Sequence, residues 1–256
     1  MEWIFFSVFA ALMQAVRTAG QKQMTNNLSA MVATWARYGF GLPLAIVYFL
    51  ALWLHYGFIA FELSLTFIVY LNCAALAQLI ATGLLVKVLS LRNFAVGTAY
   101  AKSEGLLAGI IAALFFGATL SPLAWFAVVM GVAGLMFVSL TKAKVYTKSG
   151  VSKNTVVLGL GAGLFFAFTS VFIRQASLEL EAPTALAAAF ILMASLFIQG
   201  VICTLLVHRQ NPNNWRQLAG QLKMGWFVGI TGTLGSIGWY TAFALQEAAL
   251  VKTLGN

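Results

Sequence analysis

The sequence predicts an all-α integral membrane protein, a helical bundle of two inverted five-helix repeats cut short in its ninth helix. Three observations point there. The 256 residues are 61% hydrophobic and only 8% charged, with a mean hydropathy of +0.92, where a soluble domain carries about 25% charged residues. The apolar residues fall into successive runs near the length of about 20 that an α-helix needs to cross a bilayer. The second part of the chain also repeats features of the first at a nearly constant shift.

The runs, read between polar or Gly/Pro punctuation, give spans at 3–20, 30–54, 65–87, 94–116, 122–141, 155–176, 184–207 and 225–245. A ninth starts near Glu247 and reaches Asn256, roughly half a crossing long. The first run, "MEWIFFSVFAALMQAV", opens on Glu2 rather than a basic segment and is followed by further spans, so it reads as a transmembrane helix and not as a signal peptide. The connections are short and no soluble domain is appended. The chain therefore divides into a first five-helix repeat at 1–141, a basic inter-repeat loop at 142–154 and an incomplete second repeat at 155–256.

The formal charge of +9 comes from basic residues scattered over these connections. No basic domain or aromatic-interleaved patch of the kind that binds nucleic acid is present. Lys142, Lys144, Lys148 and Lys153 follow span five; Arg209, Arg216 and Lys223 follow span seven; Lys87 and Arg92 follow span three; Lys22 follows span one. The N-terminus and "HYGFIAFELS" carry no Lys or Arg, and Arg174 stands near the end of span six. By the positive-inside rule the N-terminus is outside and the Lys-rich loop cytoplasmic.

The repeat rests on two alignments. "FAALMQAVRTAGQKQM" from Phe9 matches "AGLFFAFTSVFIRQAS" from Ala162 when Lys22–Gln23 is set on Arg174–Gln175. "SLRNFAVGTAYAK" from Ser90 matches "ALQEAALVKTLGN" from Ala244. Both demand almost the same shift. With five helices per repeat, the second copy enters the membrane from the opposite side, an arrangement that puts a transporter's substrate site near the midplane between its halves.

Several polar residues interrupt the spans. Span four, "FAVGTAYAKSEGLLAGIIAALFF", contains Lys102 and Glu104. On a continuous helix residues two apart point about 200° from each other, so Lys102 would share a face with Thr98 and Gly105, and Glu104 with Tyr100 and Ala108. They either neutralise charges on other helices for assembly or line a central cavity. Gln14, Arg17 and Gln21 form a stripe on span one, where Arg17 and Gln21 either snorkel to the interface or act in function. Arg37 in span two has three readings: it binds a carboxylate, pairs with Glu104 or anchors the helix end. Trp239 and Tyr240 in span eight are placed to line a substrate path, and that span's glycines suit close helix packing. The candidate substrate-binding set is Gln14, Arg37, Tyr100, Lys102, Glu104, Trp239 and Tyr240.

Catalytic and metal residues are not expected. His55 and His208 lie in connections, the sequence has no aspartate, no H-E-x-x-H and no G-x-S-x-G, so an intramembrane enzyme lacks its constellation. Cys73 and Cys203 are single thiols in apolar runs and read as packing residues, and no cofactor is implied.

In "AALFFGATLSPLAWFAVVMGVAGLMFV" from Ala112, Gly117, Leu120, Ser121, Trp125, Gly131 and Gly134 stand where the EamA-type branch of the drug/metabolite transporter superfamily has corresponding residues, with Ala118 where that branch often has Glu. "AKSE" at Ala101–Glu104 resembles a K-T/S-E form found in some of its members. The chain resembles that family, which implies a ten-helix fold in a bacterial inner membrane and a metabolite permease. The family pattern would require the rest of helix nine and helix ten. Truncation is the expected reason for the shortfall, and homodimerisation is the alternative that would replace those helices.

Together these readings predict a secondary transporter, exporter or exchanger, of a small polar metabolite such as an amino acid or organic anion, working by alternating access. Arg37 and Lys102 would attract an anionic group, and Glu104 would balance them or couple flux to protons. The alternative is a non-transporting membrane scaffold.

Overall fold

The computed structural model describes residues 1–91, 94–146 and 152–256. Arg92 and Lys148, two of the basic residues that orient the chain, lie outside the described residues. Regular structure among the described residues is entirely helical: α1 (Glu2–Met24), α2 (Ala30–Gly39), α3 (Leu42–His55), α4 (Leu65–Ser90), α5 (Phe94–Ala101), α6 (Glu104–Phe116), α7 (Pro122–Tyr146), α8 (Lys153–Leu178), α9 (Thr184–Gln210), α10 (Asn214–Ala219), α11 (Leu222–Leu245) and α12 (Ala248–Gly255). Among the described residues, six stretches are long and apolar enough to cross a bilayer: α1, α2–α3, α4, α5–α6, α8 and α9. The protein is an all-α, multi-pass membrane protein. Its outward side chains agree, with Phe5, Leu12, Val47, Leu65, Leu114, Phe126 and Phe197 all exposed. In water such faces would aggregate; in lipid they are at no disadvantage.

The helix starts follow local chemistry. Ser29 caps α2 by accepting from the Val32 N–H, and Ser64 caps α4 by accepting from the Phe67 N–H at 3.0 Å. At the far end of α6, Gly117 adopts φ +62°, a left-handed conformation that favours glycine. The Ala118 N–H then reaches back to the Ala112 carbonyl at 3.1 Å and closes the helix. α7 runs on to Tyr146, so the basic stretch expected as a loop from residue 142 is helical in its first part.

Two expected spans are broken. Span two divides into α2 and α3 at Phe40–Gly41. Pro43 in the first turn of α3 has no N–H to give the preceding turn, and the corner presses into a glycine surface of α11. A Cβ on Gly229 would stand 2.7 Å from the Phe40 carbonyl carbon and 2.9 Å from the Gly41 nitrogen, and Thr233 Oγ1 donates to the Gly41 carbonyl at 3.1 Å.

Span four divides at Lys102–Ser103, between α5 and α6. There the N–H groups of Lys102 and Ser103 bond three residues back, to Ala99 and Tyr100, each at 3.1 Å, and the turn tightens. This corrects the expectation of a single helix holding Lys102 and Glu104 on opposed faces.

The two most extensive helix–helix interfaces are α4 with α8 and α1 with α11. Between them lies a core of small and aromatic side chains, including Ala10, Ala74, Ala167, Tyr38, Tyr240 and Phe243. The polar residues of the spans are embedded in that core.

Candidate functional site

Glu104, the first residue of α6, and Lys252 of α12 are both buried and form an ion pair at 3.3 Å. The Lys252 ammonium also sits 4.1 Å from the Trp239 ring centroid, with Phe166 and Phe243 farther out at 5.5 and 5.6 Å. Aromatic faces stabilise a desolvated cation by up to about 2 kcal/mol. Trp239 Nε1 donates to Gln14 Oε1 at 2.8 Å, which ties α11 to α1. Lys102 Nζ donates to Asn256 Oδ1 at 3.0 Å. Lys102 and Glu104 thus both reach toward the α12 segment, because the break between α5 and α6 re-aims them. Both line one cavity of about 590 Å³, together with Gln14, Thr18, Thr98 and Asn256.

A second cluster lies at the crossing of α1, α2, α4 and α11. Arg37 donates through Nη1 to Thr82 Oγ1 at 2.7 Å and through Nη2 to Ser236 Oγ at 3.2 Å. Its expected pairing with Glu104 is therefore not formed, since Glu104 faces Lys252. Arg37 is 2% exposed and Arg17 3% exposed, which also removes the interface-anchor and snorkelling readings. Gly232 separates the two arginines: a Cβ there would stand 3.2 Å from both Arg17 Cδ and Arg37 Cγ. Gln21, fully buried, donates to the Ala33 carbonyl at 3.2 Å.

Beside this cluster Gln78 gathers three helices. Its Oε1 accepts from Tyr240 Oη and from Gln199 Nε2, each at 2.9 Å, while Tyr38 Oη donates to the Gln78 carbonyl at 3.3 Å. Gln199 Nε2 also reaches the Ala75 carbonyl at 3.0 Å.

Of the expected site residues, the structure brings Gln14, Lys102, Glu104 and Trp239 to one place and Arg37 and Tyr240 to the adjoining network. Tyr100 is different: half-buried, it gives its carbonyl to the Ser103 hydroxyl at 2.8 Å and does not line the cavity. Lys252, Gln78 and Gln199 were missed from the sequence. Lys252 bore the same signal as Lys102, a charge inside an apolar run, whereas the glutamines are uncharged residues in strongly apolar helices.

Among the described residues, Arg17, Arg37 and Lys252 are buried cations and Glu104 is the buried carboxylate. Positive charge exceeds negative in this interior. No three His, Cys, Asp or Glu side chains converge among the described residues as metal ligands would.

No protein-family model and no curated protein matches this chain. Solved structures do match in fold. One, described only as a crystal structure of a protein, aligns with a TM-score of 0.67 at 16% identity, over 100% of this chain and 85% of the other. At that identity the likeness is one of fold alone.

Proposed function

We propose that the protein is a secondary transporter of a small polar metabolite, an anion-bearing one such as an organic acid or amino acid, built from two inverted repeats that alternate access. The observation that carries this reading is the buried polar network with its cationic excess, strung between elements of both halves: Gln14, Arg17 and Arg37 on one side, Ser236, Trp239, Tyr240 and Lys252 on the other. Charged groups inside a membrane bundle are costly and mark substrate or ion paths.

Contacts between matched positions support the repeat. Under the two sequence alignments α1 corresponds to α8 and α5 to α12, and α4 falls on α11 by the same shift. The α1–α11 interface is then the counterpart of the α4–α8 interface, and these are the two most extensive in the molecule. Lys22 corresponds to Arg174, and each caps a carbonyl near the end of its partner helix: Lys22 Nζ on Leu89 at 2.5 Å, Arg174 Nη1 on Phe243 at 3.0 Å. Those carbonyls are themselves matched positions. Lys102 and Asn256, also matched, touch each other, as residues beside a pseudo-two-fold axis would.

In this mechanism the cationic interior draws an anionic group, the halves rock about it, and Glu104 either balances Lys252 or carries a coupling proton. Resemblance to metabolite permeases makes exporter or exchanger the direction. Counterflow of labelled amino acids and organic acids in proteoliposomes tests it. Lys102→Ala and Glu104→Gln are expected to abolish exchange while the solubilised protein stays monodisperse. Normal exchange in both variants removes the cavity from the mechanism, and a Lys102→Ala variant that loses assembly instead favours a scaffold. Flux indifferent to a proton gradient removes the coupling role of Glu104.

A further inference from the structure

Arg17 and Arg37 are buried side by side, and among the described residues neither forms an ion pair with a carboxylate. The Nε and Nη2 atoms of Arg17 and the Nε atom of Arg37 have no hydrogen-bond partner among the described residues. In a guanidinium, Nε and Nη2 form one edge with two parallel N–H bonds, the edge that grips a carboxylate or phosphate in bidentate fashion. Arg17 thus keeps that whole edge uncommitted. Arg37 is held differently: the Thr82 and Ser236 hydroxyls occupy its Nη groups and fix the plane of the guanidinium.

The helices that carry and flank the two arginines place no carboxylate beside them. α2, α4 and α11 contain no acidic residue, and α1 has only Glu2 at its outer end. Glu104 is engaged by Lys252. The Lys252–Glu104 cluster is internally neutralised, whereas the arginine pair is not. Two like charges brought together with three idle donors are unfavourable unless something anionic joins them.

We propose that Arg17 and Arg37 form a buried oxyanion site, which takes the carboxylate or phosphate group of the transported molecule. The purpose of the site rests on the transporter reading; its existence does not. Arg17 supplies the bidentate edge, Arg37 a third donor and the second charge, and Gly232 leaves room for both stems to lie against α11. Lys102 and Glu104 then belong to the cavity wall rather than to the anion's seat.

The test is thermal unfolding of the purified full chain in detergent, with sodium phosphate, sodium succinate and sodium chloride compared at equal ionic strength. Phosphate or succinate is expected to raise the Tm of the wild type and chloride to leave it unchanged; the larger of the two shifts identifies the oxyanion. Arg17→Met and Arg37→Met are each expected to abolish the shift. Arg17→Lys, which keeps the charge but not the parallel donors, is expected to bind roughly tenfold more weakly. In oxyanion-free buffer Arg17→Met should melt at or above the wild-type temperature, because it removes an uncompensated buried charge; a purely structural arginine would give a lower Tm. The proposal is overturned if chloride protects equally, if neither oxyanion protects, or if Arg17→Met keeps the shift. A failed counterflow panel with intact oxyanion protection would instead discard the transporter reading and leave the site standing.

Discussion

Lys252 and Glu104 show what a single charge costs in this interior. The pair is desolvated on both sides, at 3.3 Å, and the Trp239 face supports the ammonium but cannot replace its counter-charge. Removing one partner leaves the other buried and uncompensated, which destabilises by about 3–5 kcal/mol, whereas replacing both by apolar groups of similar size is close to neutral. Glu104→Gln alone is therefore expected to lower the melting temperature in detergent markedly. Glu104→Gln with Lys252→Met is expected to regain most of that loss. A double variant no more stable than the single one would mean that Lys252 reaches solvent rather than depending on Glu104. Of this cluster the sequence revealed Lys102, Glu104, Gln14 and Trp239, because a charge or an amphipathic group in an apolar run is conspicuous. Gln78 and Gln199 stayed hidden in the strongly apolar α4 and α9, where one uncharged amide barely alters the average and its meaning comes only from the helix opposite.

At the scale of elements, six of the eight full spans expected coincide with stretches long and apolar enough to cross a bilayer among the described residues, and their interruptions were only partly legible. Gly39, Gly41 and Pro43 are punctuation that could have marked the α2–α3 corner; hydropathy averages run straight across it. Lys102–Ser103 has neither glycine nor proline beside it. That break owes its form to tertiary packing: α8 presses on the turn, where a Cβ on Gly163 would stand 2.9 Å from the Ala101 carbonyl and 3.0 Å from Ser103 Oγ. The end of α4 and the joint between α11 and α12 are also held from outside, by Lys22 on Leu89 and by Arg174 on Phe243. Arg174 is reinforced by Glu247 at 3.0 Å, so that joint has a charge-assisted clamp. Hydrogen exchange on the solubilised protein should separate the two. Arg174→Ala is expected to accelerate exchange at the Gln246–Val251 amides by about tenfold or more, an opening made easier by at least about 1.4 kcal/mol, and to leave Ser90–Leu91 unaffected. Lys22→Ala should do the reverse. If neither substitution alters its own site, the two cations are interface anchors and both sites are held by packing alone.

For the whole molecule, the decisive property is parity. In the proposed repeat, five helices per half would turn the second half opposite to the first and put matched connections on opposite sides of the membrane. The connection between α3 and α4 has no Lys or Arg, while the last turn of α9 carries His208 and Arg209 and α10 carries Arg216. By the positive-inside rule, the proposed topology has the first connection outside and the second in the cytoplasm. Ala60 and Asn213 stand exposed in these two connections. In a Cys73→Ser, Cys203→Ala background, Ala60→Cys is expected to react with a membrane-impermeant maleimide in intact cells, and Asn213→Cys only after permeabilisation. The reversed pattern would keep the inverted repeat and turn the protein over. Labelling of both positions from one side would break the parity itself. The matched interfaces and the matched carbonyl caps would then need a different origin, and the polar core between α1, α4, α11 and α12 would no longer lie between two halves able to rock against each other.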